Sequence, residues 1–384
     1  MRLPDRLAFL FAAMCITLEM PAEAQIPWRC HTIDDSFRGA DGVKLADFNG
    51  DGFIDIVTGW EESGVIRLYL NPGAQAVKAN WPAVTVGRGA SPEDALPLDV
   101  DDDGRLDIVS CHEGPHQRVL VHFCTGEDLL NAASWETTDI SSLDAKRWMF
   151  AEGMLLASGQ RAIAFGSKND GASISLLVAP NQPTRDLSKW SVRRLRDAGW
   201  IMSLRAVDMD GDGDSDLLYS DRKGVKRGVG WLEQPPGESN TVPWNDHVIG
   251  GTDVEPMFLQ GDAKRVLVST RNAVWLDFRR QADQHWKCDS HANPNGVPNG
   301  KAIARLGARE IVLTSNTFVS KDIAGRVGVW RLSLGDLWEP ISATESVKLD
   351  RIECLDLDAD GDLDVLTCEE RKNQGVIWYE NPSR

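Results

Sequence analysis

Asp208–Asp216 reads DMDGDGDSD, and the chain repeats that shape three more times: DFNGDGFID at Asp47–Asp55, DVDDDGRLD at Asp99–Asp107 and DLDADGDLD at Asp356–Asp364. Each copy has Asp or Asn at positions 1, 3, 5 and 9 and Gly at position 6. Hard oxygen ligands at alternate positions, with a glycine for a sharp turn, describe a loop that wraps a Ca²⁺ ion. A short apolar run follows each copy at once, Ile56-Val57, Ile108-Val109, Leu217-Leu218 and Val365-Leu366. That is a strand and not the helix of an EF-hand, so the loop is expected to be a metal-clipped turn between two β-strands.

The spacing of the loops exposes a longer repeat. They begin at 47, 99, 208 and 356, with gaps of 52, 109 and 148 residues. These are close to one, two and three units of about fifty residues, a period of propeller blades or solenoids. Tryptophans opening short alternating segments supply a second marker: Trp28, Trp81, Trp135, Trp190, Trp244, Trp286 and Trp338, spaced 53, 54, 55, 54, 42 and 52 residues apart. Strands ending near a turn, such as IRLYLNPG and VIWYENPS, supply a third. Each unit then reads as a Trp strand, an inner strand, the acidic loop, an apolar strand and a last strand before an Asn-Pro-type turn. No convincing amphipathic helix interrupts this pattern. Four-stranded sheets repeated radially make a β-propeller, and seven units predict an all-β, seven-bladed one. Three units lack the carboxylates, at Met154–Ser167, Met257–Thr270 and Ala302–Ser315, and are expected to close their turn without metal. The chain ends one strand short of a unit and begins with the spare strand WRCHTI. The N-terminal strand is therefore expected to close the last blade from outside, which removes the free edges of the ring. The recurrent tryptophans read as blade-packing residues.

The ends and the charge bound the cell biology. Arg2 and Arg6, the apolar stretch Leu7–Leu18 and Ala22-Glu23-Ala24 read as a secretory signal peptide, residues 1–24. The propeller then occupies 25–384 as a single domain, expected to be exported to the periplasm, the cell surface or the medium, as a monomer with no membrane span. Removing the leader leaves 39 basic against 55 acidic residues, a net −16. Such a chain does not bind nucleic acid through a phosphate-neutralising patch. Six cysteines remain. Cys111/Cys124 and Cys354/Cys368 lie close enough to bridge within hairpins, and free buried thiols are the equal alternative. No Cys/His spacing suggests zinc.

The loops and their repeat resemble the FG-GAP/VCBS repeat family, whose repeats form propeller blades, as in the heads of integrin alpha subunits, and carry a DxDxDGxxD calcium loop. The resemblance implies four Ca²⁺ ions. Asp47, Asn49, Asp51 and Asp55 would hold the first, with the Phe53 carbonyl. Asp99, Asp101, Asp103 and Asp107 would hold the second, Asp208, Asp210, Asp212 and Asp216 the third, and Asp356, Asp358, Asp360 and Asp364 the fourth. Members serve as adhesion heads, lectin-like modules and enzyme scaffolds, so the fold does not set the activity. A weaker resemblance is to the propeller part of sugar dehydratases of the aldos-2-ulose dehydratase type, although no cupin domain accompanies it here.

Topology directs attention to the face away from the loops. The start of each inner strand and the end of the next must meet there. The strand ends bring Glu61-Glu62, His112, Glu113, Lys168, Asp221, Arg222, Lys223, Arg271, Asn316, Glu369, Glu370 and Arg371. The inner-strand starts bring Asp41, Glu93-Asp94, Trp148-Met149, Gly199-Trp200, Glu255, Lys301 and Asp350. Such a ring can bind a ligand, with Trp148 and Trp200 stacking on a sugar, or remain a solvated rim of salt bridges. The leading expectation is a carbohydrate-binding or cell-surface interaction module. The alternative is a carbohydrate-active lyase or dehydratase with Glu113 or Glu369 as base, His112 as acid or base, and Lys168, Arg222 or Lys223 stabilising an anion.

Overall fold

The structure, a computed structural model, describes residues 27–237, 243–294, 297–315, 328–333, 337–343 and 348–382. The expected leader, residues 1–24, and Asn316 lie outside the described residues. The chain forms seven four-stranded antiparallel sheets. Blade 1 runs Ala40–Ala46, Asp55–Trp60, Val65–Tyr69 and Ala83–Arg88, and blade 2 runs Pro92–Leu98, Asp107–His112, Val119–Cys124 and Trp135–Asp139. Blades 3 to 6 repeat the order, starting at Arg147, Ile201, Pro256 and Gly300. Blade 7 is built from Glu353–Leu355, Asp364–Glu369 and Gly375–Glu380, and its outermost strand is the N-terminal Arg29–Asp34. The N-terminal strand thus closes the ring. It pairs antiparallel with Gly375–Glu380, and His31 stacks on its cross-strand partner Trp378 at 4.5 Å.

Alternation explains the layers. Second and third strands are buried on both faces and read as continuous apolar runs, such as Ser173–Val178 and Asp55–Trp60. Outer strands alternate, as Ala83–Arg88 does. The recurrent tryptophans sit at the rims between blades. Trp28, Trp81, Trp135, Trp190 and Trp244 are buried, each in its own apolar cluster, and Trp286 and Trp338 pack half-buried against two further clusters. The indole N–H groups of Trp81, Trp135 and Trp190 donate to the carbonyls of Val77, Leu129 and Thr184. All six described cysteines are free thiols.

The four acidic loops join first to second strands at one end of the ring. Their ninth-position aspartates are buried and hold the turn by backbone bonds. Asp107 accepts from Val100 N at 3.0 Å and from Cys124 N at 2.9 Å. Asp55, Asp216 and Asp364 repeat this with Phe48 and Asn71, Met209 and Gln234, and Leu357 and Asn381. The other three blades close more tightly. In blade 5, Asp262 accepts from the N–H groups of Lys264 and Arg265. In blade 6, Leu306 N donates to Glu310 O.

At the opposite end, the inner strands share a feature that positions the site. Register slips near the start of the inner strand in blades 1 to 6, between Asp41 and Lys44, Pro92 and Asp94, Trp148 and Phe150, Ile201 and Ser203, Pro256 and Leu259, and Gly300 and Ile303. A bulge gives one strand an extra residue and re-aims its side chain. Glu93, Met149, Met202, Met257 and Lys301 fall within these slips, and all five face the channel mouth.

Candidate functional site: the channel mouth

The channel mouth holds a cavity of about 200 Å³ to which every blade contributes. Asp41 and Glu61 come from blade 1, Glu93 and Glu113 from blade 2, and Met149, Phe150 and Lys168 from blade 3. Trp200, Met202 and Arg222 come from blade 4, Met257 and Arg271 from blade 5, Lys301 from blade 6, and Lys348 from the entry to blade 7. The acids therefore occupy an arc over blades 1 and 2, and the cations the remaining arc. Methionines from blades 3, 4 and 5 share the wall of the cationic arc.

The carboxylates are arranged as two proton-sharing pairs. Burial, and next the Asp350 charge, pushes the Asp41 carboxyl well above the usual range, and Asp41 hydrogen-bonds to Asp350. Burial opposes ionisation of Asp350 too, but the Lys301 ammonium 2.8 Å away and the hydrogen bond from Asp41 hold its carboxyl below the usual range. Glu93 repeats the role of Asp41: burial raises it, and it bonds Glu113. Glu113 is pulled down against its own burial by the Glu93 hydrogen bond and by Lys168, with which it forms an ion pair. One member of each pair is thus a carboxylic acid and the other a carboxylate. Glu61 stands beside them, raised by burial. Beneath, Lys44 bonds both Asp94 and the Ala151 carbonyl at 2.6 Å, tying blades 1, 2 and 3 together.

The cationic arc centres on Trp200. Lys168, Arg222 and Lys223 lie 4.6, 4.4 and 4.7 Å from its ring centroid. Gly199 makes this possible: a Cβ there would collide with the Lys223 carbonyl, so only glycine lets the turn after Asp221 fold down over the indole. Asp221 holds that turn from inside, accepting from Gly199 N and Trp200 N and pairing with Arg196 at 2.7 Å. Arg222 Nε donates to Glu255 at 2.8 Å.

Of the residues expected on this face, Glu113, Lys168, Trp200, Arg222, Arg271 and Lys301 converge on the cavity, and Lys223 covers Trp200 from its edge. Glu370 forms an ion pair with Lys348. Four others are turned inward. His112 is buried in a hydrogen-bonded chain with Ser110 and His122, so it is walled off from the mouth. Trp148 lies in the apolar core edge-on to Phe165, because the adjacent slip sends Met149 to the channel instead. Asp221 serves the turn just described. Glu369 is fully buried and accepts from the N–H groups of Lys348, Arg371 and Lys372, which makes it a loop brace and removes it from base chemistry. Trp200 reaches the cavity, but its ring is covered by cations. Lys348 was missed altogether: it precedes an inner strand too short to show a pattern.

Three of the four acidic loops gather carboxylates that could hold a cation. Carboxylate oxygens of Asp99, Asp101 and Asp107, of Asp208, Asp210 and Asp216, and of Asp356, Asp358 and Asp360 lie within 4.8 Å of one another in each group. Buried oxygens of Asp99 and Asp358 have no hydrogen-bond donor. Positive side chains lean on two of these loops, Arg185 on Asp101 and Asp103, and Lys78 on Asp358 at 2.9 Å. In loop 47–55, Asp47 accepts from Gly50 N and Gly52 N, and Asn49 donates to Asp51.

Seven four-stranded blades around a charged channel define the class: a seven-bladed β-propeller. Residues 47–110, from the first acidic loop through the second, match the family described as FG-GAP-like repeat. The match and the seven blades together support placing the chain in the FG-GAP repeat propeller family. No curated protein matches the chain. Among solved structures it is similar to BBS1N in its complex with ARL6DN, soaked with mercury, at a TM-score of 0.55 and 10% identity, covering 93% of this chain and 97% of that one. It is also similar to a catalytically inactive virginiamycin B lyase from Staphylococcus aureus with quinupristin, at a TM-score of 0.55 and 11% identity, covering 91% and 97%. At such identity the likeness concerns the fold alone. An FG-GAP propeller fold suggests an interaction or binding module, and such repeats are typically extracellular. Among the described residues no helix is long and apolar enough to cross a membrane.

Proposed function

We propose that this chain is an exported, calcium-stabilised propeller that binds a carbohydrate at the channel mouth opposite its acidic loops. The observation that carries the reading is the convergence of all seven blades on one charge-lined cavity. A solvated rim would leave its charges in water. Here Lys168, Arg222 and Lys301 are each more than nine-tenths buried, and burying charge is costly unless the partners repay it. Apolar Met149, Met202 and Met257 beside ionised groups suit a sugar, which presents C–H faces and hydroxyls together. The leader-like residues 1–24 and the extracellular habit of the repeats support export.

The calcium reading rests on the converging carboxylates. Positions 1, 3 and 9 of loops 99–107 and 208–216, and positions 1, 3 and 5 of loop 356–364, would hold the ion. When bound, it would cross-link the turn and offset the local negative charge.

The test is a thermal-shift titration of the chain lacking residues 1–24 against a panel of mono- and oligosaccharides. A ligand present at 100 Kd is expected to stabilise by about 2.7 kcal/mol, and Glu61→Gln or Arg271→Gln is expected to weaken that gain. A panel in which no sugar stabilises the protein refutes the reading.

The two proton-sharing pairs favour a second reading, a carbohydrate lyase or dehydratase, since neighbouring carboxyls driven apart in pKa supply an acid and a base side by side. Prolonged incubation with polysaccharides and keto-sugars yields new products only if this second reading holds.

A further inference from the structure

The carbohydrate reading leaves open which kind of sugar the cavity recognises, and the distribution of charge answers it. The chain as a whole is strongly acidic, with a formal net charge of −17. Yet the cavity is lined by five cations, Lys168, Arg222, Arg271, Lys301 and Lys348, against four carboxyl groups. Two of those carboxyls, Asp41 and Glu93, are held as neutral acids by burial and by their hydrogen-bonded partners. Among the lining residues cations therefore outnumber ionised carboxylates, with Glu255, Asp350 and Glu370 standing behind the wall as ion-pair partners of Arg222, Lys301 and Lys348.

Unused hydrogen-bond donors sharpen the point. Arg222 Nη2 and Trp200 Nε1 are buried and have no acceptor. Both residues line the cavity, from the same blade. A buried polar group without a partner costs roughly 1–3 kcal/mol, which a ligand that offers an acceptor in this cavity would recover. Both are donors, so the group that completes them is an acceptor, and the surrounding cations make it an anionic one. The opposite wall carries Glu61 and the Glu93–Glu113 pair, which suit hydroxyls and would repel a second negative charge. With about 200 Å³, the cavity is below the roughly 300–1,000 Å³ of drug-sized sites, which limits the ligand to about one ring.

We infer that the channel mouth recognises a sugar acid, its carboxylate received by Arg222 Nη2, Trp200 Nε1 and Arg271 and its hydroxyls by Glu61 and Glu93. This rests on the carbohydrate reading above and narrows it to one chemical class. A planar, singly charged carboxylate matches a guanidinium beside an indole N–H. A phosphate dianion would face the acidic wall with a charge the pocket does not balance.

The experiment is isothermal titration of the chain lacking residues 1–24 with D-galacturonate and D-glucuronate, their neutral parents D-galactose and D-glucose, and inorganic phosphate. At least one acid is expected to bind ten times more tightly than its parent, or better, since a charge-assisted hydrogen bond contributes roughly 1.5–3 kcal/mol. Trp200→Phe keeps the ring and removes one donor; Arg222→Lys keeps the charge and removes the other. Each is expected to weaken the acid about tenfold more than it weakens the neutral sugar, with folding checked by melting temperature. Neutral sugars binding as tightly as their acids overturn the inference and leave the carbohydrate reading standing. No binding by any sugar overturns both. Phosphate binding in place of the acids, or acid binding indifferent to both substitutions, also overturns the inference.

Discussion

Acidifying the solution from about pH 7.5 to about pH 5 is expected to weaken this fold through two buried histidines in blade 2. The hydrogen bonds set their protonation uniquely. His112 Nδ1 lies 3.0 Å from the Ala90 carbonyl, which can only accept, so Nδ1 carries the proton. His112 Nε2 must then accept, from the Ser110 hydroxyl at 2.8 Å. Ser110 Oγ accepts in turn from His122 Nε2 at 2.8 Å, and His122 Nδ1 accepts from the Thr137 hydroxyl at 2.8 Å. With both rings neutral every hydrogen bond in the chain is satisfied, and burial penalises a further proton. Burial pushes His112 down from 6.5 to about 4, and burial together with the His112 charge pushes His122 down to about 3. A depressed pKa contributes stability that is whole above the unfolded value of 6.5. It declines as pH falls below that value and is exhausted only below the folded pKa values. At pH 5 each ring has cost about 2 kcal/mol, for a total of about 4. With roughly 2.1 cal/mol/K per residue over roughly 350 residues, that is a fall in melting temperature of about 5 °C. Raised carboxyls such as Asp41 and Glu93 act in the opposite sense, because their stability is lost as pH rises. The histidine effect is therefore read as the difference between the protein and its His112→Gln/His122→Gln variant, measured by calorimetry across the range. Imidazole ¹⁵N and C–H resonances provide the direct assay: His112 is expected as the Nδ1–H tautomer and His122 as the Nε2–H tautomer, with neither titrating above about pH 5. Either ring titrating near 6.5 in the folded protein would sink the argument.

Two more perturbations probe the two ends of the ring. Chelation is expected to lower the melting temperature, and Asp212→Ala or Asp360→Ala to reproduce part of that loss with calcium present; a chelator-insensitive protein counts against metal in the loops. Lys301→Met leaves Asp350 and Asp41 buried without their cation, at a cost of roughly 3–5 kcal/mol in urea unfolding, while adding Asp350→Asn is expected to recover much of it. A single variant as stable as the parent refutes the ion-pair account.

How far the sequence could be read differs between the fold and the site. The blade count, the strand order and the closure by Arg29–Asp34 follow from three markers recurring at one period. Each marker is local: a turn needs its glycine, a rim its tryptophan and a buried strand its apolar run. The channel face was legible only as a set of positions. The sequence places Trp148-Met149 and Glu93-Asp94 there together, and cannot say which of each pair faces inward. The register slip decides it, sending Met149 and Glu93 to the cavity, Trp148 to the core and Asp94 to Lys44. His112 and Glu369 misled for a related reason. Their charge-bearing types at strand ends suggest chemistry, while their actual partners, Ser110 and the Ala90 carbonyl for one and four backbone N–H groups for the other, are set by packing.

The sequence by itself determined a seven-fold repeat, four acidic turns and the face opposite them, because each is a periodic consequence of residues a few positions apart. Only the tertiary structure decided that one carboxyl of each pair is neutral, that Trp200 lies under three cations, and that cations outnumber ionised carboxylates among the residues lining the mouth of an acidic protein. Those depend on burial and on side chains brought together from blades as distant in sequence as Asp41 and Asp350, and no local pattern encodes an electrostatic field made by the whole ring.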